Sequence, residues 1–328
     1  MSKQTKELSK RILGKSGLEV SEIGFGLWAA GGQEWGGTDD NAILNAIDFA
    51  LDLGCNFFDT ADVYGGGHSE ELLGKAMEGR REQFIVATKI GWRDFDGEIG
   101  QSAYTTAKKV ISGVESNLRR LGSDYIDVIQ SHIDFRDPTM EVLIEGFQSL
   151  QTMGKVRAYG VSTSDLDYLK AFNKDSNCAA LQIDYSILNR TPEKEVMSYC
   201  RDNGIGVIVR GALAMGILTG KFTPDTRFPE SDFRHRWHED QDEHQVFLKD
   251  LDTVEELRPL AKGRSLAQLA LQFPLCHSAV STVIPGIRDV EQARTNFQVG
   301  QLAPLTSEEM ALIDDLVPPA GGRKIWPA

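Results

Sequence analysis

The stretch NFFDTADVYGGGHSEELLGKAMEGRREQFIVATKIGW, Asn56 to Trp92, decides the fold. It opens on a β-rich run, Asn56–Thr60, breaks at three consecutive glycines and closes on a second run, Phe84–Lys89. The chain between the two runs is long enough for a right-handed parallel crossover. The same alternation continues outward in both directions, with further β-rich runs at Ser21–Leu27, Tyr125–His132, Ala158–Ser162, Ala180–Asp184, Gly206–Arg210 and Thr282–Pro285. Helically periodic stretches separate them, among them Ala42–Leu53, Thr106–Leu121, Thr139–Met153 and Glu193–Asn203. Eight strand–helix units favour a closed parallel barrel over an open sheet, so the expected fold class is α/β, a (β/α)8 TIM barrel.

Two regions depart from this rhythm. Arg11–Val20 reads as a small N-terminal β-hairpin turning at Lys15-Ser16-Gly17. Lys221–His244 is a long polar loop before the eighth strand, rich in charge and aromatics, where such loops are functional or mobile. The expected organisation is a tail over residues 1–10 and a single barrel domain over 11–328; barrels of this class exceed ~150 residues as one unit. The C-terminal VPPAGGRKIWPA, Val317–Ala328, reads equally as a cover over the mouth or as a contact with a neighbouring subunit.

Composition narrows the functional classes. A formal charge of −13 speaks against nucleic acid, which needs a clustered basic face, but leaves room for a local anion site. No apolar run reaches the length of a membrane span, and the basic MSKQTKELSKR has no apolar stretch behind it as a secretory signal would. The four cysteines, Cys55, Cys178, Cys200 and Cys276, have no metal-like spacing. They read as reduced packing residues of a cytoplasmic protein, with no metal site. The oligomeric state is left open.

On a barrel of this kind, polar residues at the C-terminal ends of strands are the functional candidates. Four meet that condition: Asp59 ends the second run, Tyr64 lies in the glycine-rich loop after it, Lys89 ends the third and His132 the fourth. Reduction of a carbonyl needs a hydride at carbon and a proton at oxygen. A tyrosine of pKa about 10 becomes a better partner if an ammonium lowers that value, and a shift of three units is worth roughly 4 kcal/mol. Asp59 would keep Lys89 charged and oriented, and His132 would polarise the carbonyl. Taken singly, each has an ordinary structural reading: a helix cap, a loop aromatic, an exposed lysine, a satisfied histidine. Together they form one acid–base device.

No GxGxxG follows a strand and opens a helix, so a Rossmann site is not supported. An anion site is offered instead by GILTGKF, Gly216–Phe222 with Lys221, and by IPGIRDVEQARTNF, Ile284–Phe297 with Arg288 and Arg294 near a helix start. Trp28 and Trp92 follow the first and third strands as walls of a substrate pocket whose mouth also takes in Tyr64 and the Lys221–His244 insertion, with Asp134, Arg136 and Asp137 as a charged approach.

FFDTADVYGGGHSEELLGKAM, FIVATKIG and the strand ending at His132 resemble the signatures of the aldo-keto reductases. KSGLEVSEIGFGLW resembles that family's opening segment, VRGALAMGILTGKF its seventh strand and loop, and TVIPGIRDVEQARTNF its cofactor signature. The resemblance runs from about Arg11 to about Leu316 and implies a reversible NADPH-dependent carbonyl reductase, NADH being the other candidate cofactor. It implies Asp59, Tyr64, Lys89 and His132 as the catalytic tetrad, with Tyr64 as general acid. It further implies that Ser162 and Gln182 hold the nicotinamide carboxamide, and that Gly216, Leu218, Gly220 and Lys221 line the pyrophosphate. Gly286, Arg288, Gln292 and Asn296 would meet the adenosine 2′-phosphate and adenine.

This chain departs from the family pattern at three positions. Thr163 follows Ser162 where many relatives carry asparagine, Arg210 stands where an aromatic often stacks on nicotinamide, and Gln292 stands where some relatives use arginine. Because some family members are channel-associated subunits, the alternative is a cofactor-binding regulatory subunit with little turnover. A Schiff-base lyase using Lys89 is a third reading.

Overall fold

The computed structural model describes residues 8–32, 35–91, 104–133 and 139–324. The chain enters through an antiparallel hairpin, β1 (Lys10–Ile12) and β2 (Glu19–Ser21), turning where KSG predicts a turn, with Gly17 at φ +71°. Leu8 is already buried, so packed structure begins inside the stretch expected as a tail.

Eight parallel strands follow in chain order: β3 (Phe25–Gly26), β4 (Phe57–Asp59), β5 (Ile85–Ile90), β6 (Ile126–Ser131), β7 (Val156–Ser162), β8 (Ala180–Asp184), β9 (Gly206–Arg210) and β10 (Val280–Val283). The last strand returns to the first. Gly24 N donates to Val283 O at 2.8 Å, Gly26 N to Pro285 O at 3.0 Å, and Val283 N to Glu22 O at 2.9 Å, closing the barrel. The expected run Ser21–Leu27 is divided, its first residue ending the hairpin and only Phe25–Gly26 forming β3. β10 begins and ends two residues before the expected run; Ile284 N still donates to Val209 O at 2.9 Å, and Pro285, with no N–H, cannot carry the ladder further.

The helices are α1 (Asp40–Asp52), α2 (His68–Met77), α3 (Ala107–Leu121), α4 (Thr139–Thr152), α5 (Leu166–Phe172), α6 (Val196–Asp202), α7 (Arg236–Glu239), α8 (Gln241–Leu257), α9 (Leu266–Leu275), α10 (Val290–Phe297) and α11 (Ser307–Leu316). Thus the back half of the expected long loop is helical, with Asp240 capping α8 through Asp242 N and Glu243 N.

Alternation along the strands divides the core in two. Phe57, Ala87, Val128, Ala158, Ala180 and Ile208 point into the barrel, where they meet Leu13, Leu18 and Val20 of the hairpin. Phe58, Val86, Ile129 and Val161 face the helices. The hairpin seats against the foot of β9: Lys15 N donates to Gly204 O at 2.7 Å. A Cβ on Gly14, whose φ is +49°, would stand 2.2 Å from Gly206 N. Only glycine allows that approach.

The described C-terminal segment lies against the loop after β8, not over the mouth. Arg190 N donates to Gly321 O and Arg323 N to Leu188 O, each at 3.0 Å, and Arg323 pairs with Asp250 on α8. Cys55, Cys178 and Cys200 are buried packing residues as expected, while Cys276 is exposed. Among the described residues no helix is long and apolar enough to cross a membrane.

Candidate active site

The C-terminal strand ends bring the four expected catalytic side chains together. Asp59 is the last residue of β4, Lys89 sits one residue before the end of β5, and His132 directly follows β6. Lys89 is fully buried, and its Nζ donates to Asp59 Oδ1 at 2.6 Å, Thr60 O at 2.8 Å and Tyr64 OH at 3.4 Å. Tyr64 reaches this position from a turn in which Gly65, Gly66 and Gly67 all have positive φ. A Cβ on Gly65 would lie 2.5 Å from Gly31 O, so glycine lets this loop pack directly on the one after β3. His132 meets the Tyr64 ring edge-on, with centroids 5.6 Å apart.

Behind Lys89 lies a polar support that sequence reading did not single out. Asn117 Nδ2 donates to Lys89 O at 3.3 Å, and Arg120 joins Asn117 Oδ1 at 3.0 Å to Glu70 Oε2 at 2.6 Å. Thr88 Oγ1 donates to the other Glu70 oxygen at 2.5 Å. Glu70 and Asn117 sit on helical periodicity, which places them on a buried face without saying that strand β5 is what they meet.

The electrostatics differ from the expected scheme in one respect. Burial pushes the Tyr64 phenol above its ordinary value; the Lys89 ammonium opposes this, and Asp59 reinforces it. The expected net lowering by Lys89 is therefore outweighed, and Tyr64 remains a neutral phenol at neutral pH, the form that donates a proton. For Lys89, burial works against the charge, but Asp59 and Tyr64 raise its pKa overall. An ammonium whose hydrogens are all engaged is no nucleophile, which argues against Schiff-base chemistry.

His132 is held well below the usual imidazole range by burial first, then by the charges of Lys89 and Arg210. In the unfolded chain this ring titrates near 6.5, so below that pH the unfolded state binds a proton the folded state refuses. Its contribution is therefore neutral above that pH and becomes a loss of stability as pH falls. Between pH 6.5 and 5.5 the wild type should lose stability more steeply than His132→Asn, by up to about 1.4 kcal/mol per pH unit. Urea midpoints of both proteins across that range check this; parallel pH dependences would mean that the folded ring accepts the proton.

Above the four residues opens a cavity of about 880 Å³, within the range of ligand sites. Its wall includes Ser162, Gln182, Arg210, Gly216, Lys221, Gly286, Arg288, Gln292 and Asn296 of the expected cofactor set, and Trp28 of the expected substrate pocket. Leu218 and Gly220 do not line it: Leu218 is buried, and a Cβ on Gly220 would meet Leu266 Cδ1 at 2.4 Å. They shape the turn behind the wall. Arg294 also turns away, lying over Phe49 at 4.7 Å. Trp92, Asp134, Arg136 and Asp137 lie outside the described residues.

Several expected contacts already have protein partners. Gln182 Nε2 donates across the barrel to Asp59 Oδ2 at 2.8 Å. Thr163 faces its own loop, its hydroxyl accepting from Asp165 N at 3.0 Å. Arg288 donates to Trp35 O at 3.3 Å and Gly37 O at 2.8 Å, while Gln292 Oε1 accepts from Arg288 N at 3.0 Å. These acceptors on Arg288 are neutral carbonyls, and its charge also acts on the Asp232 carboxylate of the long loop.

The Lys221–His244 insertion, expected at the pocket mouth, contributes Lys221, Phe222 and Arg234 to the wall. Trp28 stacks on Tyr64 at 6.1 Å and on Phe233 at 5.6 Å, and meets Trp35 edge-on at 5.1 Å. Arg234 lies over Trp35 at 4.9 Å and is held by Asp232 through two bonds of 2.9 and 2.6 Å. Met215, at φ +55°, also faces the cavity. A polar loop has no period, so nothing in its sequence tells which side chains turn inward.

Comparison with known proteins agrees with this arrangement. Residues 22–318 match the Aldo/keto reductase family. The chain is 36% identical over 282 residues to "Aldo-keto reductase YhdN" of Bacillus subtilis, covering 83% of each protein. Among solved structures it resembles aldo-keto reductase AKR11C1 from Bacillus halodurans in its holo form, with TM-score 0.78 and 34% identity over 94% of this chain and 96% of the other. It also resembles glycerol dehydrogenase AKR11B4 from Gluconobacter oxydans, with TM-score 0.80 and 32% identity over the same shares.

Proposed function

The chain belongs to the aldo/keto reductase family, and we propose that it reduces aldehydes or ketones with NADPH, reversibly, using Tyr64 as general acid and base. The observation that carries this reading is the Lys89 ammonium, 2.6 Å from Asp59 and 3.4 Å from a neutral Tyr64 phenol at one end of the cavity. When bound, the nicotinamide supplies the hydride. Tyr64 gives its proton to the carbonyl oxygen, and Lys89 stabilises the phenolate left behind. Asp59 holds Lys89 in place, while neutral His132 donates a hydrogen bond that polarises the same oxygen.

The cavity suits a dinucleotide. It extends from these four residues to the start of α10, with Lys221 and Arg288 on the way and buried Asn296 in the wall. Ser162 and Gln182 would face the nicotinamide carboxamide, Gly216 and Lys221 the pyrophosphate, and Arg288 a 2′-phosphate through charge-assisted bonds. Trp28, with Trp35 and Phe233 beside it, would form the apolar side of the substrate pocket.

A panel of carbonyl compounds assayed with NADPH and NADH in parallel tests the activity. Cofactor oxidation that depends on the carbonyl is expected; tight cofactor binding without turnover on any compound would favour the regulatory-subunit reading instead. The cofactor assignment has its own test. Arg288→Gln should raise KM for NADPH about tenfold or more and leave KM for NADH within about twofold. Equal effects on the two would remove Arg288 from the 2′-phosphate.

A further inference from the structure

Arg210 brings a cation to the reacting end of the cavity. It is the last residue of β9, half-buried, and lines the wall together with Asp59, Tyr64, His132, Ser162 and Gln182. Its strand neighbour in register is Asp184, a buried carboxylate whose Oδ2 accepts from Asn189 at 2.8 Å. Beside that carboxylate, the charge of Arg210 acts on both Tyr64 and His132, working to lower the pKa of each.

A hydride donor for a carbonyl held by Tyr64 and His132 must lie in contact with that carbonyl. Besides β4–β6, the strand ends that line the cavity are those of β3 and β7–β10, with Ser162, Gln182 and Arg210 among their residues, so a donor ring at that depth lies within reach of the Arg210 charge. A nicotinamide ring is neutral when reduced and carries one positive charge when oxidised, while the rest of the dinucleotide is identical in the two states. We infer that Arg210 makes this site discriminate by oxidation state, weakening the binding of the oxidised cofactor relative to the reduced one. The inference rests on the reading of the cavity as a nicotinamide dinucleotide site. Its consequence is rapid loss of the oxidised cofactor after each reduction, and a bound couple shifted to higher potential.

The test is a pair of equilibrium titrations, NADP+ and NADPH separately, followed by the fluorescence of the cavity tryptophans Trp28 and Trp35. The ratio of Kd for NADP+ to Kd for NADPH should fall about tenfold in Arg210→Met and stay near the wild-type value in Arg210→Lys. A tenfold change in that ratio is a shift of about 30 mV in the bound couple. A ratio within twofold of wild type in Arg210→Met, or equal weakening of both cofactors, overturns the inference while leaving the site reading intact. Failure of the wild type to bind either dinucleotide overturns the site reading and the inference with it. If Arg210→Met does not fold, Arg210→Gln supplies the same comparison without the charge.

Discussion

Tyr64→Phe should lower kcat for carbonyl reduction by about a thousandfold or more while leaving the Kd for NADPH within about twofold. The substitution removes only the hydroxyl. The ring keeps its stack against Trp28 and its edge contact with His132, so the shape of the wall survives. What is lost is the proton donor, which burial keeps protonated and Lys89 stands ready to stabilise once ionised. Steady-state rates with fluorescence titration of the cofactor separate the two quantities. Turnover within tenfold of wild type would show that another group delivers the proton.

The second large effect is on the fold as well as the rate. Lys89→Met keeps the length of the side chain and removes its charge, stranding the buried Asp59 carboxylate. Breaking a buried ion pair from one side costs about 3–5 kcal/mol, which for a chain of this size lowers Tm by roughly 4–7 °C. Activity should fall with it, since the phenolate loses its counterion. The double variant Lys89→Met with Asp59→Asn separates the two consequences: it should recover much of the stability and none of the activity. If Lys89→Met alone melts at the wild-type temperature, Asp59 is not stranded and the pair is not what holds this end of the barrel together.

The barrel was legible because its signal is local. Runs such as Ala180–Asp184 and Gly206–Arg210 end in the structure where the sequence ends them, and Arg210 at the end of the second lines the cavity. That Asp59, Tyr64, Lys89 and His132 would meet was legible for the same reason, since three of them stand at strand ends and the fourth in the loop that follows one. Distances between strands are another matter. Nothing in the run ALQID says that Gln182 spends its amide on Asp59, nor does HSEELLG announce that Glu70 and Arg120 brace β5. The sign of the Tyr64 shift was also hidden, because it depends on how deeply the loop is covered, and a sequence records neighbours better than it records depth. The inward turn of Trp35 and Arg234 was hidden most completely, since both lie in loops whose sequence has no period to read.

The hydrogen bond from Gln182 to Asp59 has a further consequence, for how the site comes into being. It joins residues 123 positions apart, and the bonds that close the barrel join residues farther apart still. Contacts of such separation form late in folding, after local strand–helix units have assembled, because each requires a long stretch of chain to be brought together first. Asp59 therefore acquires its second partner only when both halves of the sheet have met. A partly assembled chain can hold many native helices and still lack this centre. The first appearance of activity during refolding should accordingly mark completion of the barrel rather than its beginnings.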